Sequence, residues 1–261
     1  MTLTPITINP DSFPADLRPL LRNAMCYDSA CSPEMRVIFI DKDNGYFLKI
    51  GSQGALTRQA EHMRYFHKKD LTARVLSYIS EEMDYLLTEK IHGDDCTAEK
   101  YLARPEKLCD LLAEQLLRLH AMDFSDCPTQ NHTAWYLAKT GENYRNGTYN
   151  KDDFPDSFGY KNEAEAWAVV QANRNILQNT ALIHGDYCLP NVMLNDWHFA
   201  GFIDLDNAGV GDSHVDIFWA IWSLRFNLHT DNYRQRFIDA YGRSKIDEEK
   251  LHIIAAMEVF L

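Results

Sequence analysis

The 261-residue chain is short of several things, and each shortage closes off a class of protein. No apolar run approaches the roughly 20 residues that a membrane-spanning helix needs. The opening Met1-Thr2-Leu3-Thr4-Pro5 has neither the basic nor the apolar stretch of a secretory signal, so it does not read as a signal peptide. The cysteines, Cys26, Cys31, Cys96, Cys109, Cys127 and Cys188, make no Cys-x-x-Cys pair. That argues against zinc and fits free thiols in a reducing cytoplasm. Cations are outnumbered: 26 Lys and Arg face 38 Asp and Glu, a net charge of −12. Such a balance disfavours nucleic acid and anionic membranes as partners and suits a cationic small molecule, although charge of this size also serves solubility alone. There is no Gly-x-x-x-x-Gly-Lys-Ser/Thr phosphate loop, no glycine-rich kinase loop, no internal repeat and no low-complexity linker.

What is present suffices for a sizeable core. Hydrophobic residues make up 46% of a chain long enough for two lobes or one large domain. Leu17 to Met25 reads as a short helix. Val37 to Asp41 and Tyr46 to Ile50 read as strands joined by Asp43-Asn44-Gly45, a strong hairpin signal, with Lys49 on the second strand. Leu56 to Lys68 has helical periodicity and carries Glu61. Arg74 to Ile79 and Met83 to Glu89 give two more strands. Gly93-Asp94-Asp95 interrupts the pattern and marks a boundary between residues 1–92 and 93–261. Beyond it helices are predicted over Pro105 to Met122, His132 to Arg145, Lys161 to Gln178, Asp212 to Leu228, Tyr233 to Tyr241 and from Asp247 onward. Asn146 to Tyr160 is a polar loop with Asp152, Asp153 and Asp156. A small antiparallel sheet with one helix, followed by a mostly helical remainder, is an α+β chain.

The chemistry concentrates in Ile183-His184-Gly185-Asp186-Tyr187-Cys188-Leu189-Pro190-Asn191-Val192-Met193-Leu194, with Gly201-Phe202-Ile203-Asp204-Leu205-Asp206 after it. The pattern is a strand, a polar loop, a hairpin and a carboxylate at the end of its second strand. Two aspartates and an amide oxygen are hard ligands suited to Mg²⁺ arriving with phosphates. Asp186, Asn191 five residues on, and Asp204 have the order of a phosphoryl-transfer site: base, metal ligand, second metal ligand.

These motifs resemble the aminoglycoside phosphotransferases, and the His-Gly-Asp-x-Cys-Leu-Pro-Asn and Gly-Phe-Ile-Asp segments are especially similar to the 3′-phosphotransferases that act on kanamycin and neomycin. The likeness extends through Leu48-Lys49, Arg118-Leu119-His120, Asp126-Cys127-Pro128 and Met257-Glu258-Val259-Phe260. It implies a two-lobed, protein-kinase-like fold: a nucleotide-binding lobe over 1–92 and a catalytic, substrate-binding lobe over 93–261. It implies ATP, or GTP, with Mg²⁺. By the resemblance Lys49, paired with Glu61, grips the nucleotide phosphates. Ser32, between Cys31 and Pro33, contacts phosphate, and Phe47 stacks on adenine. Asn191 and Asp204 hold the metal, and Asp186 orients the acceptor hydroxyl and takes its proton. His184 and Asp216 order the catalytic loop. A polycationic acceptor calls for carboxylates, and Asp152, Asp153, Asp156 and Glu258 are the candidates.

The likeness has gaps. Asp206-Asn207 stands where those enzymes carry Gly-Arg, Trp222-Ser223 where they carry a polar or charged pair, and Met257-Glu258 where they carry Asp-Glu. Three alternatives to an aminoglycoside kinase therefore stay open. One is a kinase of another small alcohol or amino sugar. Another is a nucleotide-binding protein without turnover, and the third a nucleotide-sugar transferase that uses Asp204-Leu205-Asp206 as an Asp-x-Asp metal motif. Oligomeric state is not legible in the sequence.

Overall fold

Short strands of alternating burial, broken by turns that need left-handed backbone, build the first part of the chain. The computed structural model describes residues 3–29, 35–149 and 159–261. It divides the chain into two compact units, Met1–Gly93 with Met193–Asp206, and Asp94–Val192 with Asn207–Leu261.

The first unit contains β1 (Thr4–Ile6), α1 (Arg18–Leu21), β2 (Met25–Asp28), β3 (Arg36–Asp41), β4 (Tyr46–Ser52), α2 (Thr57–His67), β5 (Val75–Ser80) and β6 (Met83–Glu89). The six strands form one sheet in the order β1-β2-β3-β4-β6-β5, every pair antiparallel. Leu48 and Ile50 of β4 are buried with Ile38, Ile40 and Leu87 against Phe13, Leu17 and Leu21. Period-two alternation then leaves Phe47 and Lys49 on the opposite face, in register with Phe39 and Val37. The hairpin between β3 and β4 turns at Asp43 (φ 52°) and Gly45 (φ 87°), as the Asp-Asn-Gly signal implied.

One expectation fails here. The helix predicted from Leu17 to Met25 stops at Leu21. Asn23 adopts φ 60°, which ends the helix, and Met25 opens a strand whose alternate residue Cys26 is buried. Helix α2 is held at its start by Asp84. That buried carboxylate accepts the N–H groups of Gly54 (3.0 Å) and Leu56 (2.8 Å) and the Tyr78 hydroxyl (2.9 Å).

The second unit begins with β7 (Asp94–Asp95), α3 (Glu99–Leu102), α4 (Pro105–His120), α5 (His132–Asn146), α6 (Glu163–Ala172) and β8 (Ala181–Ile183). Pro105 sits in the first turn of α4, where its missing N–H costs nothing, and Leu108, Leu112, Leu116 and Leu119 line the buried face. The helix predicted over Lys161 to Gln178 is shorter at both ends. Asn162 caps it by accepting the Glu165 N–H at 3.0 Å, and the Asn173 side chain bonds back to the Val169 carbonyl at 2.9 Å as the helix closes.

The chain then forms the hairpin of β9 (Val192–Asn195) and β10 (His198–Phe202). Its turn residues Asp196 (φ 48°) and Trp197 (φ 67°) are both left-handed, as a two-residue type I′ turn requires. Phe202, at the end of β10, is fixed to the turn after α2: its N–H donates to Leu71 O at 2.7 Å and its carbonyl accepts the Thr72 hydroxyl at 2.7 Å. The second unit resumes with β11 (Gly209–Gly211), antiparallel to β8, and closes with α7 (His214–Leu228), α8 (Arg234–Tyr241) and α9 (Glu248–Glu258). Its core gathers α5, α6 and α9 around Tyr136, Val170, Ile254 and Phe260. Among the described residues no helix is long and apolar enough to cross a membrane.

Candidate active site

In the second unit the segment after β8 is an ordered loop, and Asp216 on α7 orders it. Its fully buried carboxylate accepts two consecutive backbone N–H groups, His184 at 2.8 Å and Gly185 at 2.7 Å. His120 at the end of α4 approaches the same carboxylate at 3.1 Å. Gly185 has φ +83°, and a Cβ placed there would lie 2.0 Å from the Asn207 carbonyl oxygen. Only glycine fits that backbone and that approach. Further along, the Tyr187 hydroxyl donates to Leu112 O at 2.9 Å, and the Leu189 N–H donates to the Ser223 hydroxyl at 2.9 Å.

This scaffold presents Asp186 with both carboxylate oxygens engaged. The Cys188 thiol donates to Oδ1 at 2.9 Å, and the Asn191 amide donates to Oδ2 at 2.8 Å. The same amide nitrogen reaches the Asp186 carbonyl at 3.0 Å. Commitment of the nitrogen on this side leaves the Asn191 side-chain oxygen as the atom that could bind a metal. Burial, reinforced by the Asp186 charge, pushes the Cys188 thiol up, so it stays a neutral donor.

Glu258 occupies a different environment from the exposed, anionic one expected of a contact for a cation. It is buried, and its Oε1 accepts from the Tyr136 hydroxyl and from Trp219 Nε1. Burial pushes its carboxyl up to about 8, against the hydrogen bonds from Tyr136 and Trp219 and with the charge of Asp186. Glu258 is therefore mainly protonated at neutral pH.

In the first unit Lys49 Nζ and Asp204 Oδ1 form an ion pair at 2.9 Å. Their side chains are 24% and 51% exposed, so the pair is solvated and contributes on the order of 0.2–1 kcal/mol. Asp204 has φ 59°, a left-handed conformation rare for a residue with a Cβ. Three residues of α2 hold its surroundings. Gln59 Nε2 lies 3.4 Å from Asp204 Oδ1, His62 Nδ1 lies 2.9 Å from Leu205 O, and Arg58 Nε donates to Asp206 O at 3.3 Å. Burial raises the Asp206 carboxyl, with Arg58 opposing and Asp204 adding to the rise.

The expected Lys49–Glu61 pair is not formed: Glu61 lies on the exposed face of α2, and Lys49 meets Asp204 instead. Helix geometry explains this. Gln59 and Glu61 lie about 200° apart around the axis at roughly 100° per residue, so when one faces Asp204 the other faces away. Phe47 is partly exposed and tilts against Phe39 at 5.2 Å between ring centres. Ser32, Asp152, Asp153 and Asp156 lie outside the described residues. Sequence reasoning missed Arg58, Gln59, His62 and Cys188. The one available signal was that 58, 59 and 62 share a helical face.

Among the described residues there is no group of three or more His, Cys, Asp or Glu side chains arranged to hold a metal ion. Asn191 in the second unit and Asp204 in the first each carry a hard side-chain oxygen. Oxygen donors of this kind suit Mg²⁺, which keeps waters and phosphate oxygens and takes few protein ligands.

An antiparallel sheet with its lysine strand and single long helix, and a helical unit carrying the Asp-Asn loop, define an α+β, protein-kinase-like phosphotransferase fold. The chain belongs to the phosphotransferase enzyme family, whose model matches residues 34–254. It is 46% identical over 259 residues to the probable aminoglycoside 3′-phosphotransferase of Lactococcus lactis subsp. lactis (strain IL1403), covering 99% of this chain and 98% of that protein. It is 31% identical over 178 residues to the aminoglycoside 3′-phosphotransferase of Niallia circulans, covering 68% of each. Among solved structures, the fold matches the aminoglycoside-3′-phosphotransferase of type VIII with a TM-score of 0.77 at 21% identity, covering 99% of this chain and 94% of that one. It also matches aminoglycoside phosphotransferase APH(3″)-Id from Streptomyces rimosus in complex with ADP and streptomycin. That TM-score is 0.73 at 20% identity, with coverage of 86% and 90%.

Proposed function

We propose that this enzyme transfers the γ-phosphoryl group of ATP to a hydroxyl of an aminoglycoside, and that the acceptor is the 3′-hydroxyl. The observation that carries the reading is Asp186, whose two oxygens are fixed by Cys188 and Asn191 on a loop anchored by Asp216. A carboxylate held in that way can orient an acceptor alcohol and receive its proton as the oxygen–phosphorus bond forms and the bond to the ADP leaving group breaks. The names of the curated relatives support the acceptor and the position, and the ADP complex of the S. rimosus enzyme supports the nucleotide.

In this reading residues 1–92 bind nucleotide and 93–261 carry catalysis and the acceptor. Lys49 neutralises nucleotide phosphate, with Phe47 offering a ring to adenine and Ser32 a hydroxyl to phosphate. Asn191 and Asp204 would hold Mg²⁺, which when bound neutralises charge on the phosphates. Asp152, Asp153 and Asp156 would meet the cationic acceptor, and the working compartment is the cytoplasm. Glu258, buried and protonated, serves by shape and hydrogen bonding more than by charge. The test is incubation of the protein with ATP, Mg²⁺ and kanamycin, followed by mass spectrometry and NMR of the drug. A single phosphoryl group on the 3′-oxygen is expected; an unchanged drug contradicts the proposal.

A further inference from the structure

We infer that Gln59 is a positioning residue for Asp204, and that Lys49 and a divalent cation compete for that carboxylate until a nucleotide offers Lys49 a second anion. The inference rests on the metal role proposed for Asp204. Lys49 Nζ at 2.9 Å and Gln59 Nε2 at 3.4 Å share one oxygen of Asp204. Gln59 is buried, with its amide nitrogen within hydrogen-bond reach of Asp204. The backbone beyond Asp204 is held separately, through the Leu205 carbonyl on His62 and the Asp206 carbonyl on Arg58. Movement of Lys49 therefore need not release the segment that carries Asp204.

The neutrality of Gln59 has an electrostatic consequence. A carboxylate at that position would attract Lys49 and repel Asp204, leaving Asp204 for the metal. An amide carries no net charge, so Lys49 neutralises Asp204 itself. Asp206 and Arg58 also bear on this pair: burial and the Asp204 charge raise the Asp206 carboxyl, while Arg58 and Lys49 lower it, and Glu61 acts on Arg58. A divalent cation approaching the nucleotide-free protein must displace the ammonium. Triphosphate oxygens draw Lys49 away, so metal and nucleotide each strengthen the binding of the other by the same factor.

Calorimetry with Mn²⁺ alone, and with Mn²⁺ plus a non-hydrolysable ATP analogue, tests this on wild type, Gln59→Glu, Gln59→Leu and the double variant Gln59→Glu/Asp204→Asn. For wild type, the analogue is expected to tighten Mn²⁺ binding on the order of tenfold, within the usual range of coupling between sites. Gln59→Glu is expected to tighten binding of Mn²⁺ alone by a similar factor and to shrink the coupling. The double variant should lose that gain, which assigns it to Asp204 and not to the added carboxylate. Gln59→Leu, checked for folding by circular dichroism, is expected to weaken metal binding severalfold in the presence of the analogue. Equal Mn²⁺ affinity in wild type and Gln59→Glu, or a gain that survives Asp204→Asn, overturns the inference. A wild type that binds no nucleotide defeats the phosphotransferase reading instead, and the metal-only titrations still decide the role of Gln59.

Discussion

The amide of Asn191 donates to Asp186 at 2.8 Å, so the side chain expected to bind metal also fixes the carboxylate expected to act as base. One nitrogen fixes the Asp186 carboxylate, which leaves the oxygen of the same amide for the expected metal. Replacement of Asn191 is therefore expected to disturb both functions.

Asp186→Asn keeps the size of the side chain and removes its charge. The variant is expected to fold with an unchanged melting temperature to within a few degrees and to bind ATP as wild type does. Its turnover should fall roughly 10²–10⁴-fold, the usual worth of a positioned acid or base. Single-turnover kinetics at saturating ATP make the measurement. Turnover near that of wild type would remove Asp186 from the role of base.

Gly185→Ala meets the Asn207 carbonyl at 2.0 Å with the backbone at φ +83°. Strain of this kind costs about 1–3 kcal/mol before the steric clash is added. The variant is expected to melt several degrees below wild type and to lose most of its activity, because the backbone N–H that Asp216 holds belongs to this residue. An unchanged melting curve would show that the loop is not fixed as described.

Two buried groups give opposite pH slopes to stability. Burial depresses His62 to about 4, helped by Arg58 and opposed by the Leu205 carbonyl, against an ordinary 6.5. Between about pH 4 and 6.5 the unfolded chain holds a proton that the folded protein lacks, so the His62 contribution rises with pH. Glu258 behaves in the opposite sense, at about 8 against an ordinary 4.5. Between those values the folded protein holds the extra proton, and the contribution falls as pH rises. Above about pH 6.5 only the Glu258 slope remains of the two, at most ~1.4 kcal/mol per pH unit. Glu258→Gln is expected to gain on wild type in melting temperature from pH 6.5 to 8, and denaturation scans across that range read the difference. A constant gap would show that Glu258 does not titrate there.

Much of this fold is legible in the residues. Asp43-Asn44-Gly45 places the hairpin and hence Lys49, and the leucine spacing after Pro105 places α4. Strands β1 and β2 are not legible, because Met25-Cys26-Tyr27-Asp28 is too short to show period two and follows a helical pattern. The choice between Gln59 and Glu61 also escapes the sequence. Both are polar, and the face of α2 that meets Asp204 is set by the turn at Leu71 and Thr72 that fixes β10. The burial of Glu258 escapes it for a related reason. A glutamate on the last helix suggests exposure, whereas residues 253–258 of α9 are all buried and Tyr136 and Trp219 both donate to the carboxyl.

Phosphoryl transfer to an aminoglycoside is tested most directly by steady-state kinetics over kanamycin, neomycin and a panel of neutral sugars and small alcohols. With Mg·ATP saturating, kcat/KM should be highest for the aminoglycosides. It should fall as salt is raised, because several carboxylates holding one polycation are screened. With Glu258 protonated, and Met257 and Asn207 in place of charged residues, the preference should be narrower than a full ring of carboxylates gives. If a neutral alcohol is phosphorylated efficiently while kanamycin and neomycin are left untouched at millimolar concentration, the aminoglycoside account is contradicted and a kinase of another alcohol takes its place.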